Sequence, residues 1–97
     1  MKQEVSIKEW VFNKLEKEIG IDEAINGLII IQCESRWDVD VISNTYDLGL
    51  WQINRMHTDI SNADKLDYKK ATDWTINKFK ADGSWQAWSC AERMGIK

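Results

Sequence analysis

Proline is missing from this chain altogether, and glycine occurs only 5 times in 97 residues. Proline breaks helices and glycine weakens them, so their scarcity points to a mainly helical chain joined by short turns. No apolar run reaches membrane-spanning length, which leaves no span among these residues. The N-terminus, Met1-Lys2-Gln3-Glu4-Val5, is polar and then amphipathic, unlike a secretory signal. Positive charge is also short: 13 Lys and Arg stand against 16 Asp and Glu, a net charge of −3. That balance lacks the basic footprint of a nucleic-acid binder.

Two cysteines, Cys33 and Cys90, are too few for a disulfide scaffold. They form either one bridge closing a long loop or two buried thiols, and both readings stay open. Histidine is reduced to one residue, His57, and no set of ligands at matching spacing accompanies it, so no metal site is expected. His57 reads as a surface or capping residue. Without a base and its orienting group, Cys33 is a poor candidate nucleophile.

The remaining composition is that of one globular domain spanning residues 1–97, at 43% hydrophobic and 30% charged. Tryptophan is plentiful, with 6 residues. Some must be core, and large rings with N–H donors also suit a surface that stacks on sugar rings. Helical register assigns Trp10 and Trp74 to the core, with Trp85 and Trp88 more core than surface.

Ser6-Ile7-Lys8-Glu9 has the Ser-x-x-Glu form of a capping box. Trp10, Val11, Leu15 and Ile19 follow at helical spacing, with Gly20 as the stop, which predicts a helix over Ile7–Ile19. Asp22 is a candidate cap for a second helix from Glu23 to about Ser35 through the aliphatic block Leu28–Ile31. A helix apolar on all sides is expected in the middle of the fold. The polar, β-branched stretch 38–46 reads as a loop or irregular hairpin, and Leu50–Met56 as a short helix entered through Gly49. Asp67 caps a further helix ended by Asp82-Gly83, and Ser84 is expected to cap a last one over Trp85–Met94. The expectation is a mainly α fold of about five helices.

Chemistry centres on two carboxylates. Glu34 falls on the last turn of the most apolar helix, where its ionised form is poorly solvated and its pKa is expected to rise. A carboxylic acid protonated near neutral pH is what protonates the leaving oxygen of a glycosidic bond. The alternative is a Glu that reaches solvent and pairs with Arg36 or a Lys. Asp47 lies among Ser43, Asn44, Thr45 and Tyr46, where a carboxylate stays ionised. By itself it reads as a turn or cap residue. Together the two have the contrasting environments of an acid and its charged partner.

Glu34-Ser35 followed by Asp47-Leu48-Gly49-Leu50-Trp51-Gln52-Ile53-Asn54 resembles the lysozyme superfamily, animal lysozymes and soluble lytic transglycosylases. Trp85-Gln86-Ala87-Trp88 is similar to that family's closing Trp-x-x-Trp helix, and the likeness extends over about Ile25 to Trp88. The resemblance implies a lysozyme-like fold cleaving the β-1,4 bond between N-acetylmuramic acid and N-acetylglucosamine in peptidoglycan, by hydrolysis or by 1,6-anhydro-forming transglycosylation. Glu34 matches the general acid and Asp47 the second carboxylate of animal-type lysozymes. Ser35 matches a residue supporting the acid, and Gln52 and Asn54 match glycan-contacting or loop-bracing positions. Trp37 and Trp51, nearest the carboxylates in sequence, are expected to face sugar or to wall in Glu34.

Two features depart from the family pattern. The connection from Glu34 to Asp47 is short, and the chain is acidic where an anionic wall suits positive charge. The implied protein is a monomer without metal or organic cofactor, binding peptidoglycan strands and no nucleic acid. It is either exported or released from a host cell as a phage-type lysis protein. A glycan-binding module with the same groove and no cleavage is the other function class to test.

Overall fold

The structure, a computed structural model, describes residues 6–97. The described residues form five helices, α1 (Ile7–Ile19), α2 (Ile21–Glu34), α3 (Asn62–Lys65), α4 (Tyr68–Asp82) and α5 (Ser89–Arg93), and one two-stranded antiparallel sheet between α2 and α3 in chain order. Its strands are β1 (Asp47–Leu48) and β2 (Ile53–Asn54). The fold is mainly α, as the lack of Pro and Gly predicts.

Helix boundaries follow local chemistry where a side chain supplies the cap. The Ser6 hydroxyl accepts from the Glu9 backbone N–H, and Gly20 leaves α1 with φ +90°. Asp67 accepts from the N–H groups of Lys69 and Lys70 to start α4, and Gly83 ends it in the left-handed conformation. Elsewhere the expected caps fail. α2 starts at Ile21, and Gly20 takes the cap position without a side-chain bond, while Asp22 sits inside the first turn. α1 and α2 are separated by one residue, so there is no room for Asp22 to stand outside the helix. Ser84 receives the Gln86 N–H in a turn, and the last helix begins only at Ser89. The side chains of Trp85 and Trp88 are both buried, and a turn closed by the Trp88 N–H on the Trp85 carbonyl carries them.

The core is built on tryptophan. Trp51 and Trp85 are fully buried and stack with ring centroids 5.9 Å apart, and Trp88 meets both edge-on at 6.0 and 5.5 Å. Each buried indole N–H has an acceptor: Trp51 donates to Thr72 Oγ1, Trp85 to Glu23 Oε1, and Trp88 to the Trp51 carbonyl. Gly27 on α2 admits this cluster. A Cβ there would stand 2.8 Å from Leu15 Cδ1 and 3.3 Å from Trp51 Cη2.

α2 is not enclosed on all sides. Ala24, Gly27, Ile30 and Ile31 are buried, whereas Ile21, Ile25 and Ile29 are 46%, 47% and 36% exposed. A chain of this length has α1, α5 and the Trp cluster to cover two faces of α2 and nothing among the described residues to cover the third.

The segment after Gly49 is not a helix. Asp47 pairs with Asn54 and Leu48 with Ile53, and Ile42 bridges to Leu48, so the chain turns back over Gly49–Gln52. Gly49 has φ +75°, and a Cβ on it would lie 2.2 Å from the Lys65 carbonyl oxygen. Leu50, Trp51 and Ile53 all reach the core from a turn and a strand, which imitates a helical pattern in the sequence. Lys65, the last residue of α3, is 1% exposed, and its ammonium bonds the Asn54 carbonyl at 3.0 Å. The hairpin is thereby held against α3 at both Gly49 and Asn54.

Cys33 and Cys90 are bonded, with Cα atoms 5.9 Å apart. The bridge joins the last turn of α2 to α5 and settles the question the sequence left open.

Candidate active site

The end of α2 and the hairpin face each other across a cleft of about 140 Å³ lined by Glu34, Asp47, Gln52, Ile53 and Asn54. His57, Trp74, Ala87, Trp88 and Ser89 complete its lining. Glu34 and Asp47 therefore share one cavity despite the short connection between them. That connection spends little length because the chain reverses at once: Arg36 and Trp37 both take left-handed φ values of 54° and 68°. Two consecutive non-glycine residues in this region are uncommon and carry strain.

The two carboxylates differ in surroundings as expected. Glu34 is half-buried, and its pKa is raised chiefly by desolvation, with the nearby Asp47 charge acting in the same direction. The Cys90 backbone N–H, 3.2 Å from Glu34 Oε2, and the Arg93 charge oppose the rise without cancelling it. The disulfide beside it fixes that N–H relative to the end of α2.

Asp47 shifts the other way. Burial raises its pKa, but hydrogen bonds from Thr45, Asn54 and Ser43 outweigh it and leave the pKa lowered. Asn54 Nδ2 donates to Oδ1 at 2.8 Å, while the Ser43 and Thr45 hydroxyls serve Oδ2. Three of roughly four acceptor positions of the carboxylate are thus occupied from within the loop. The same cavity holds one carboxyl group favoured as the acid and one favoured as the anion.

Gln52 and Asn54 line the cleft, and their amides are engaged internally. Gln52 Nε2 donates to the Gly49 and Val41 carbonyls, and Asn54 also donates to the Thr45 carbonyl and accepts from the Met56 N–H. Of the two expectations for these positions, bracing the loop is the one their bonds express.

Three expected site residues lie elsewhere. Ser35 is buried and its hydroxyl bonds the Ile31 carbonyl, away from the Glu34 carboxyl group. Trp37 is turned by its own left-handed backbone to the opposite side of α2, under the Lys8 ammonium at 5.3 Å. Trp51 is core, with 0% exposure. Closeness in sequence misled for both rings, because a reversed turn separates one and the stacked core claims the other.

Their places are taken by residues the sequence reading set aside. Trp74, assigned to the core, is half-buried and lines the cleft, its indole N–H bonded to Asp59 Oδ2 at 2.9 Å. That bond is the main cause of a lowered Asp59 pKa. His57 lies edge-on to Trp74 with ring centroids 5.0 Å apart. Trp88 also reaches the cleft, as the second ring of the Trp85–Trp88 motif. No group of three or more potential metal ligands occurs among the described residues.

The family model of the transglycosylase SLT domain matches residues 11–79. The match takes in Glu34, Asp47, His57 and Trp74 and covers more than half of the chain. No curated protein and no solved structure matches the chain.

Proposed function

The chain belongs to the transglycosylase SLT domain family, within the lysozyme-like superfamily, and from that premise we propose that it cleaves the β-1,4 bond between N-acetylmuramic acid and N-acetylglucosamine in peptidoglycan, with Glu34 as the general acid. The observation that carries this reading is the opposed pair in one cleft: Glu34 desolvated at a helix end, and Asp47 held as the anion by three hydrogen bonds.

In the proposed reaction Glu34 gives its proton to the bridging oxygen as the C1–O bond breaks, and positive charge develops at the anomeric carbon. Asp47, fixed and ionised, stabilises that charge from across the cleft. The Glu34 carboxylate then takes the proton of the muramic acid 6-hydroxyl while its oxygen bonds C1. A 1,6-anhydro ring closes and the acid is regenerated. Transglycosylation is favoured over a covalent enzyme intermediate because most acceptor positions of Asp47 are already filled, which blunts it as a nucleophile. Trp74, His57 and Trp88 present aromatic edges and faces to the glycan. The domain acts without a cofactor on glycan strands of the wall.

The test is digestion of purified peptidoglycan followed by mass spectrometry of the fragments. Products ending in 1,6-anhydromuramic acid support the reading, and reducing ends assign hydrolysis instead. Tight binding of chito-oligosaccharides with no fragments released would make the domain a glycan-binding module and overturn the proposal.

A further inference from the structure

The open face of α2 shares no lining residue with the cleft. Its apolar stripe runs through Ile21, Ile25 and Ile29, one helical turn apart. Past the end of the helix the stripe continues into a groove of about 720 Å³ whose floor includes Leu28, Ile29, Trp37 and Met94. Lys8, Arg36 and Arg93 border that groove. The other end of the stripe carries the exposed Asp22. Among the described residues, none of these four charged groups takes part in an ion pair.

The surface is therefore apolar along its middle, basic at one end and acidic at the other. Such a pattern is complementary to itself after a half-turn. We propose that this face docks on the same face of a second copy of the chain, giving an isologous, antiparallel α2–α2 dimer. A half-turn about the middle of α2 carries the Asp22 end of each copy towards the basic end of the other, where Lys8, Arg36 and Arg93 stand, so Asp22 meets that basic group twice. An anionic lipid surface fits less well, because Asp22 would be pressed against like charge at one end of the stripe. Because the cleft lies outside the stripe, both copies keep it available.

Sedimentation velocity of the full chain over a concentration series tests the proposal. The mass is expected to rise from that of the 11.3 kDa monomer towards twice that value. Ile29→Glu is expected to remain monomeric with an unchanged helical circular-dichroism spectrum, since the residue lies on the surface. Asp22→Arg and Arg36→Asp each place like charges together twice, and each should raise the dimer Kd about tenfold or more. The double variant Asp22→Arg/Arg36→Asp should return to within about threefold of the starting Kd, a recovery that only a direct pair produces. A chain that sediments as a monomer at every concentration overturns the proposal, as does a double variant no better than the single ones. Capture of a monomeric chain by vesicles of anionic phospholipid would assign the face to a lipid surface instead.

Discussion

The two walls of the cleft shift their carboxyl groups in opposite directions, and by opposite means. On the helical wall, the protonated form of Glu34 is favoured by what is missing: burial strips water from its carboxylate, and the Cys90 N–H with the more distant Arg93 charge does not make up the loss. On the hairpin wall, Asp47 is kept ionised by what surrounds it, three donors within a loop that is otherwise half solvated. The helical wall depends on packing and a disulfide, the hairpin wall on a local hydrogen-bond network. Perturbations should therefore separate them.

The largest effect is expected at the helical wall. Glu34→Gln keeps shape and removes the proton, so cleavage of peptidoglycan should fall by about 10²–10⁴-fold, read as fragment release per unit time. A variant clearing cell-wall suspensions at the unsubstituted rate would end the assignment of Glu34. Reducing the Cys33–Cys90 bond comes next. Its closed loop of nearly sixty residues is worth about 4 kcal/mol on the chain-entropy model. Cys33→Ser/Cys90→Ser should show this in denaturant melts, together with lower activity even where the protein remains folded, since α5 no longer fixes the N–H on Glu34.

On the hairpin wall, Gly49→Ala forces a Cβ into the Lys65 carbonyl and a side chain into φ +75°. A loss of roughly 1–3 kcal/mol is expected, measurable by the shift in urea midpoint. The smallest effect is the most specific. Asn54→Ala deletes one bond to Asp47, so the Asp47 pKa should climb from its lowered position towards the usual value of 3.8. The proposed reaction needs Asp47 ionised and Glu34 protonated. The acid limb of the pH–rate profile should therefore move up in Asn54→Ala, with the basic limb unmoved.

Stability should follow the same division. Glu34 has a raised pKa in the folded chain, so its unfavourable effect is absent at low pH and grows as pH rises from the ordinary value of 4.5 through the raised one. Asp47 has a lowered pKa, so its contribution is present above 3.8 and lost as pH falls through the lowered value. Glu34→Gln should flatten the first dependence and leave the second, in thermal melts taken across acid pH.

The helical body was largely legible in the sequence, and the hairpin wall was not. Ser6, Gly20, Asp67 and Gly83 act within one turn of themselves, so α1 and α4 could be bounded from neighbours alone. The rise in the Glu34 pKa was legible for a related reason: the residue stands one turn beyond Ile30 and Ile31, which are buried. The turn at Gly49–Gln52 obeys contacts far along the chain, with Lys65 and Val41, that no local pattern announces. The same distinction explains the tryptophans. Trp51 and Trp37 sit beside motif residues in sequence, whereas Trp74, which does line the cleft, is brought there from the middle of α4. A signal for Trp88 was present in its Trp-x-x-Trp motif. None was present for His57 beyond its place three residues after Asn54.

Lys65 gives the hairpin a second address besides the contacts it makes with Val41–Thr45 just before it. Its carbonyl oxygen closes on Gly49 and its ammonium on the Asn54 carbonyl, so β1 and β2 are referred to α3 and not to the end of α2. Residues inserted beside the exposed Asp38 or Asp40 are therefore expected to leave Asp47 in the cleft, held from α3 across a change in the length of the chain that leads to it.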